Sequence, residues 1–193
     1  MYNSFSVKRF RCFRDLTLDG LERVNLIAGE NNVGKTALLE ALFLHSGPGN
    51  PVLGARVNQL RGMPVAPRDP ESAWRSIFYD FDLAEAIELS SIDADGASRS
   101  LRIVARNEEA AHFPLEEPEA EAPNESREKA MSTAVVGRSL VFEQKGPSGE
   151  QRTAKLSFDG KGLRIEPPPP PPPFPGFFLV AVGEPDLHAQ AER

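Results

Sequence analysis

The N-terminal residues alternate between apolar and polar side chains. The apolar positions are Phe5, Val7, Phe10, Phe13, Leu16 and Leu18. A period of about two residues is typical of a strand with one buried face, so we predict two short strands here. Val24 to Ala28 is a short, largely apolar run that predicts a further strand, and it leads directly into a glycine-punctuated loop at Gly29.

The pattern becomes helical from Thr36. Residues 37 to 44 are apolar except for Glu40, and a helix that is apolar on nearly every side is a buried one. The helix-breaking residues 46 to 49 mark its end. This segment therefore predicts a core helix directly after the loop.

Two further helices are predicted from start signals in which an N-cap residue precedes a proline at the first helical position. The first begins at Asn50-Pro51 and stops at Gly62. The second begins at Asp69-Pro70, and its apolar residues fall on one helical face. Those residues are Trp74, Ile77, Phe78 and Phe81.

From Ala86 onward the sequence predicts antiparallel hairpins. The runs with strand character are residues 87–92, 101–105, 139–144, 154–158 and 163–165, with turns at 93–96, 145–149 and 159–160. We therefore expect a core over residues 1–85 followed by a β lobe over residues 86–166.

Negative charge is concentrated in one stretch inside this lobe. The chain has 22 basic and 28 acidic residues, a net charge of −6, and residues 108–130 carry eight Glu against Arg127 and Lys129. This stretch lacks the apolar content to fold, so we predict a disordered, solvated loop. Seven prolines at 167–173, continued by Phe-Pro-Gly, predict a polyproline linker over 167–176, favoured over a ligand for an SH3-type domain. Residues 177–193 would begin a following segment.

Cysteine and histidine usage excludes several kinds of site. Cys12 is the only cysteine, so neither an intramolecular disulfide nor a cysteine-based zinc site is possible. His45, His112 and His188 are too far apart in sequence to form a closely spaced metal-binding pair. No apolar run approaches the roughly 18 residues of a membrane span. We expect a cytoplasmic protein without a membrane partner.

The loop at residues 29–36 carries the clearest chemical signal. Gly29-Glu30-Asn31-Asn32-Val33-Gly34-Lys35-Thr36 matches the Walker A pattern G-x-x-x-x-G-K-[ST] at every fixed position. A strand before it and a helix after it would turn the loop amides and the helix N-terminus toward a polyphosphate. We expect Lys35 to contact the β and γ phosphates and the Thr36 hydroxyl to hold Mg²⁺. All eight residues are candidate nucleotide-binding residues, and no catalytic residue is indicated.

Residues 1–45 resemble the opening of a known group of ATPases. The resemblance depends on Phe10-Arg11-Cys12-Phe13, the hairpin that follows, residues 24–29, the loop itself and residues 37–42. These features are similar to the RecF, SMC and OLD-type ATPases, which share an ABC-like head, and within that group to bacterial AAA-family ATPases. The resemblance implies an α/β (mixed α+β) P-loop NTPase fold of ABC-head type, here its N-terminal part with an antiparallel β lobe.

The resemblance also implies functional roles. The arginine of the N-terminal motif reaches the nucleotide in such heads, so Arg11 is a candidate phosphate contact, with a solvated strand arginine as the alternative. ATP is implied rather than GTP, and hydrolysis would require a Walker B strand, a signature loop and a second head. Phe177 to His188 only imitates a Walker B strand, with Gly183 in place of the expected Asp. We therefore expect a chain that ends before the second ATPase half and that binds ATP without turnover by itself.

Two other functions stay open. The chain could be a complete, non-hydrolysing switch or interaction module in which ATP orders a surface for a partner. Direct DNA binding would depend on four basic residues, Lys8, Arg9, Arg11 and Arg14, and a solvated strand face is the favoured interpretation. A DNA partner is therefore implied by the resemblance and not by the composition.

Overall fold

The computed structural model describes residues 1–47, 50–63, 70–107, 138–158 and 163–167. The predicted acidic loop at 108–130, the proline run beyond Pro167 and the segment from residue 177 lie outside the described residues. Within the described residues, no helix is long and apolar enough to cross a membrane.

In the described residues, seven strands form one antiparallel sheet in the order β2-β1-β3-β4-β5-β6-β7. Their bounds are β1 Tyr2–Phe10, β2 Phe13–Asp19, β3 Ile87–Asp93, β4 Ser98–Asn107, β5 Arg138–Lys145, β6 Gln151–Phe158 and β7 Leu163–Glu166. Both predicted N-terminal strands and the predicted hairpin strands are confirmed. Because β1 pairs with β3 as well as with β2, the sheet continues across the boundary that we predicted after residue 85.

Side-chain alternation sets the register of the sheet. Val7 on β1 stands opposite Leu16 on β2 and Leu89 on β3, and Leu89 stands opposite Leu101 on β4. These residues share one face, and the buried members of that face form a single core with the helices. A slip of one residue would turn the apolar set to the other face, so the register is strongly specified.

Two helices cover the apolar face. Helix α1 spans Lys35–Ser46 and helix α2 spans Val52–Gln59, close to the predicted positions. The Asn50 side chain accepts a hydrogen bond from the Val52 amide at 3.1 Å, but the N-cap of α2 is Pro51, one residue later than the predicted Asn50. Most of α1 is buried or half-buried as predicted, its polar residue Glu40 included, and Leu39, which is 49% exposed, is an exception.

The predicted third helix is replaced by three short 3-10 turns at Pro70–Ala73, Arg75–Ile77 and Tyr79–Phe81. Trp74, Ile77 and Phe78 are buried as expected, but Phe81 is exposed. The backbone leaves helical geometry at Asp80, where φ is +53°, so the last apolar residue is carried away from the shared face.

The predicted strand at residues 24–28 is also wrong. None of these residues belongs to a strand, and the side chains of Val24 and Leu26 are 88% and 93% exposed. An apolar run forms a strand only where a neighbouring strand satisfies its backbone groups. Among the described residues, no strand pairs with this segment.

Candidate nucleotide-binding site

The Walker A loop leads into the N-terminus of α1. Gly34 is the N-cap, with φ +103° and ψ +8°, and its carbonyl accepts the first hydrogen bond of the helix from the Leu38 amide at 2.9 Å. Glycine fits this position because it adopts positive φ without a Cβ penalty. The loop residues before Gly34 are exposed, so their backbone is accessible to a ligand.

Lys35 folds back over its own loop. Its Nζ donates hydrogen bonds to the carbonyl oxygens of Gly29 and Glu30 at 2.7 and 2.6 Å. The ammonium group is thereby held on the loop side of the helix start, where the positive end of the helix dipole also lies. Two positive features therefore converge on one accessible loop, which is the electrostatic requirement for binding a polyphosphate.

Thr36 stands in the first turn of α1 with an exposed side chain. Mg²⁺ at nucleotide sites takes one or two protein oxygens and completes its octahedron with phosphate oxygens and water. A single exposed hydroxyl beside the loop fits that donor set. The chemistry that such an ion supplies is charge neutralisation of the phosphates.

The turn between β1 and β2 packs against the loop. A β-carbon built on Gly34 would lie 2.8 Å from Cys12 Sγ and 2.8 Å from Cζ of the Phe13 ring. Real β-carbons do not approach other atoms so closely, so a larger residue at this position would force the side chains of Cys12 and Phe13 to shift. The N-terminal hairpin and the loop are therefore in direct contact.

Arg11 occupies this turn, and its side chain points toward α1. Its Nε donates to Glu40 Oε2 at 3.0 Å, and its Nη1 donates to the backbone oxygen and to Oγ of Ser76, both at 3.2 Å. The Arg11 side chain is only 7% exposed. Burial lowers the pKa of its guanidinium, and the Glu40 carboxylate opposes that shift. Its Nη2 is buried and has no hydrogen-bond partner in the part of the chain that the structure describes.

Glu40 also pairs with a second arginine, Arg61, which follows α2. Arg61 Nε lies 2.6 Å from Glu40 Oε1, and its Nη2 lies 2.9 Å from Oε2. From the sequence, Glu40 was only the polar exception of a buried helix, and Arg61 had no predicted role. A single acidic residue within an apolar helix was the available signal for a buried ion pair, since buried charges are normally paired.

The basic N-terminal residues are mostly paired with acidic groups. Lys8 lies 3.7 Å from Asp15, and Arg9 lies 3.4 Å from Glu85. With Arg11 bound to Glu40, three of the four cations considered for DNA binding have an acidic partner. Direct DNA binding through these residues stays a prediction. The contact of Arg11 with a phosphate likewise stays a prediction.

The N-terminal part of the chain is similar to known proteins. Residues 1–121 match the family of the AAA ATPase domain. The chain is 44% identical over 43 residues to an ATP/GTP phosphatase of Helicobacter pylori, a match that covers 22% of this chain and 12% of that protein. It is 46% identical over 44 residues to an uncharacterized protein of Methanocaldococcus jannaschii, covering 23% of this chain and 20% of that protein.

The matched region thus spans at most a fifth of the length of these two relatives. The family match, in contrast, covers more than half of this chain and includes the Walker A loop, the N-terminal hairpin and both helices. The chain therefore belongs to the AAA ATPase domain family, and its fold class is that of a P-loop NTPase.

Proposed function

We propose that the chain binds ATP with Mg²⁺ in the loop formed by Gly29, Glu30, Asn31, Asn32, Val33, Gly34, Lys35 and Thr36. The observation that carries this proposal is the position of Lys35, whose Nζ lies over the carbonyl groups of Gly29 and Glu30 at the start of α1. A phosphate offers this ammonium group stronger, charge-assisted acceptors than backbone carbonyls do. Phosphate oxygens would therefore replace the loop carbonyls as its partners.

Each group in the loop has a distinct role in this proposal. Backbone amides and the N-terminus of α1 bind the phosphate chain, Lys35 contacts the β and γ phosphates, and Thr36 holds Mg²⁺. Arg11 supplies a further phosphate contact. Support for Arg11 comes from its buried Nη2, which has no partner within the described ranges, and from the contact that the adjacent Cys12 makes with Gly34.

We propose further that turnover requires groups beyond the N-terminal site. The resemblance to RecF, SMC and OLD-type heads supports a Walker B strand, a signature loop and a second head as these further contributors. The relative named ATP/GTP phosphatase supports nucleotide hydrolysis as the activity of a completed site. Under this proposal, the chain by itself binds ATP without appreciable hydrolysis.

A non-hydrolysing switch is the alternative, and one observation favours it. Val24 and Leu26, directly before the loop, are 88% and 93% exposed. Exposed neighbouring apolar side chains are typical of a surface that another segment or protein covers. In this alternative, ATP in the loop would control access to that apolar segment, and no turnover would appear in any assembly.

Titration with a fluorescent ATP analogue in the presence of Mg²⁺ tests ATP binding. We expect saturable binding that Lys35→Ala weakens at least about tenfold, since a charge-assisted hydrogen bond is lost. Lys8→Ala is the matched control, because Lys8 is a partly exposed lysine paired with Asp15 on another part of the sheet. Absence of binding at millimolar ATP would contradict the proposal.

Phosphate release distinguishes the two functions. Turnover that appears when a segment carrying a Walker B strand is supplied supports the ATPase. A chain that binds ATP and releases no phosphate under any such condition supports the switch. Competition by unlabelled GTP in the same titration tests the preference for ATP.

A further inference from the structure

Two arginines share one buried carboxylate beside the Walker A helix. Glu40 is 5% exposed, Arg11 is 7% exposed and Arg61 is 38% exposed at their side chains. The group therefore carries one surplus positive charge in a largely buried position. Buried charges are costly unless paired. The free-energy cost of moving either arginine away from Glu40 therefore depends on how the other arginine holds the carboxylate.

The two arginines hold Glu40 differently. Arg61 engages both carboxylate oxygens, with Nε at 2.6 Å from Oε1 and Nη2 at 2.9 Å from Oε2. Arg11 engages only Oε2, with Nε at 3.0 Å. If Arg11 turns away, both oxygens of Glu40 keep a charged partner. If Arg61 is removed, Oε1 loses the arginine bound to it, and Arg11 becomes the remaining arginine on the carboxylate.

The cluster lies next to the proposed phosphate site. Glu40 follows Thr36 by four residues, which is about one helical turn, or roughly 6 Å along the axis of α1. Arg11 precedes Cys12, whose Sγ abuts Gly34 of the loop.

We propose that Arg61 is a positioning residue for nucleotide binding: it keeps Glu40 compensated, so that Arg11 can exchange the carboxylate for a nucleotide phosphate. This inference rests on the proposed function, in which Arg11 contacts a phosphate. Separating a buried carboxylate from its last cationic partner is strongly unfavourable, whereas separating it from one of two is much less so. Without Arg61, Arg11 is retained by Glu40 and nucleotide affinity falls.

A double-mutant cycle on the whole chain tests this role. The variants are wild type, Arg61→Ala, Glu40→Gln and the double variant, each shown to be folded by thermal unfolding and then titrated with the fluorescent ATP analogue and Mg²⁺. We expect Arg61→Ala to weaken binding about tenfold, the effect of one charged hydrogen bond. In the Glu40→Gln background the same change is expected to alter affinity less than about twofold, because a neutral amide does not retain Arg11.

Arg102→Ala is the matched control, since Arg102 is also a partly exposed arginine paired with a glutamate, Glu143, but on β4. Its affinity for the analogue should equal that of wild type. Arg61→Lys covers the case in which Arg61→Ala fails to fold in a thermal unfolding assay. Arg61→Lys keeps the positive charge but loses the bidentate contact with both carboxylate oxygens. It should therefore weaken binding by a smaller factor than Arg61→Ala does, and Glu40→Gln should again remove the effect.

The outcomes separate the two proposals. Absence of binding by the wild-type chain overturns the proposed function. Binding by wild type that neither Arg61→Ala nor Arg61→Lys changes overturns the role of Arg61 and leaves the function standing. Weakening that Glu40→Gln does not rescue also overturns this role, because it indicates that Arg61 touches the nucleotide or only supports the fold.

Discussion

Cys12 and Gly34 are in contact across the junction between the N-terminal hairpin and the Walker A loop, with Sγ 2.8 Å from the point where a β-carbon on Gly34 would stand. The hairpin turn therefore forms one wall of the loop. Gly34 meets two demands at once, because it has positive φ and also allows this close approach. The geometry of the Walker A loop thus depends on a sheet turn that precedes it in the chain.

Substitution of Gly34 by alanine should destabilise the protein by more than the backbone strain alone. Gly96 provides a matched control, because it also has positive φ, +83°, but a β-carbon added there would have no atom within 4 Å. We expect Gly96→Ala to cost about 1–2 kcal/mol. We expect Gly34→Ala to cost about 1–3 kcal/mol more, from overpacking against Cys12 and Phe13. Urea denaturation measures both, and equal losses would contradict the contact.

Alkylation of Cys12 should weaken ATP binding. The thiol is exposed yet lies against Gly34, so a group added to Sγ extends into the space beside the loop. We expect N-ethylmaleimide to lower affinity for the fluorescent ATP analogue and bound Mg-ATP to slow the modification. Cys12→Ser is the control that should bind ATP and resist the reagent. Unchanged affinity after complete modification, verified by mass spectrometry, would refute this expectation.

Removal of the Glu40 carboxylate should lower stability considerably. In Glu40→Ala, the buried guanidinium of Arg11 loses its anionic partner, a change that typically costs about 3–5 kcal/mol. Leu39→Ala changes the neighbouring residue of α1, whose side chain is 49% exposed, and should cost clearly less. Thermal or chemical unfolding of the two variants gives the comparison. A loss for Glu40→Ala no greater than that for Leu39→Ala would argue against a buried ion pair.

Stability should fall between pH 6.5 and pH 4 because of His45. Burial lowers the pKa of His45 to about 4, and its Nδ1 lies 2.9 Å from the Tyr2 hydroxyl. The unfolded chain, with an ordinary histidine pKa near 6.5, binds the proton more readily in that interval, so protonation favours unfolding. The part of the unfolding free energy that depends on a neutral His45 is fully present above about pH 6.5 and amounts to about 3 kcal/mol.

The variant His45→Gln should remove this part of the pH dependence. Unfolding free energies at pH 7.5 and pH 5 would be measured for wild type and variant, and the difference between the two proteins isolates the histidine from the carboxyl groups that titrate lower. A neutral, buried His45 would be contradicted if the unfolding free energy of wild type, relative to that of the variant, rose between pH 7.5 and pH 5.

Substitution of two leucines should change stability to very different extents. Leu26 is 93% exposed before the loop, and Leu89 is fully buried in β3. We expect Leu26→Ser to change stability by less than about 0.5 kcal/mol and Leu89→Ala to cost about 2–5 kcal/mol. A large loss of stability for Leu26→Ser would show that the segment is packed.

Periodic patterns predicted the sheet well, because alternation has a local physical cause. Each strand of a half-buried sheet must place apolar residues on one face, as Phe5 and Val7 do on β1 and Ile87 and Leu89 do on β3. The turn at Asp93 to Gly96 was likewise predictable, since Gly96 supplies the positive φ that ends it. Pairing of β1 with β3 was not predictable, because residues 11–86 separate them in the chain.

Local patterns failed where the environment decides. Val24 to Ala28 has strand composition, but pairing depends on a neighbour that composition does not reveal, and the segment is largely exposed. Residues 70–81 have a helical apolar period, yet they form separate 3-10 turns with a break at Asp80. Propensity is a weak prior for short segments, and packing against the core overrides it.

The Walker A loop could be located from the sequence by itself, because its glycines, Lys35 and Thr36 are adjacent and their spacing is set by local backbone geometry. The ion pairs of Arg11 and Arg61 with Glu40 join residues 29 and 21 positions apart, and only the tertiary structure brings them together. Burial then decides their importance. The same three side chains on a solvated surface would contribute little, whereas in the core each charge depends on the others.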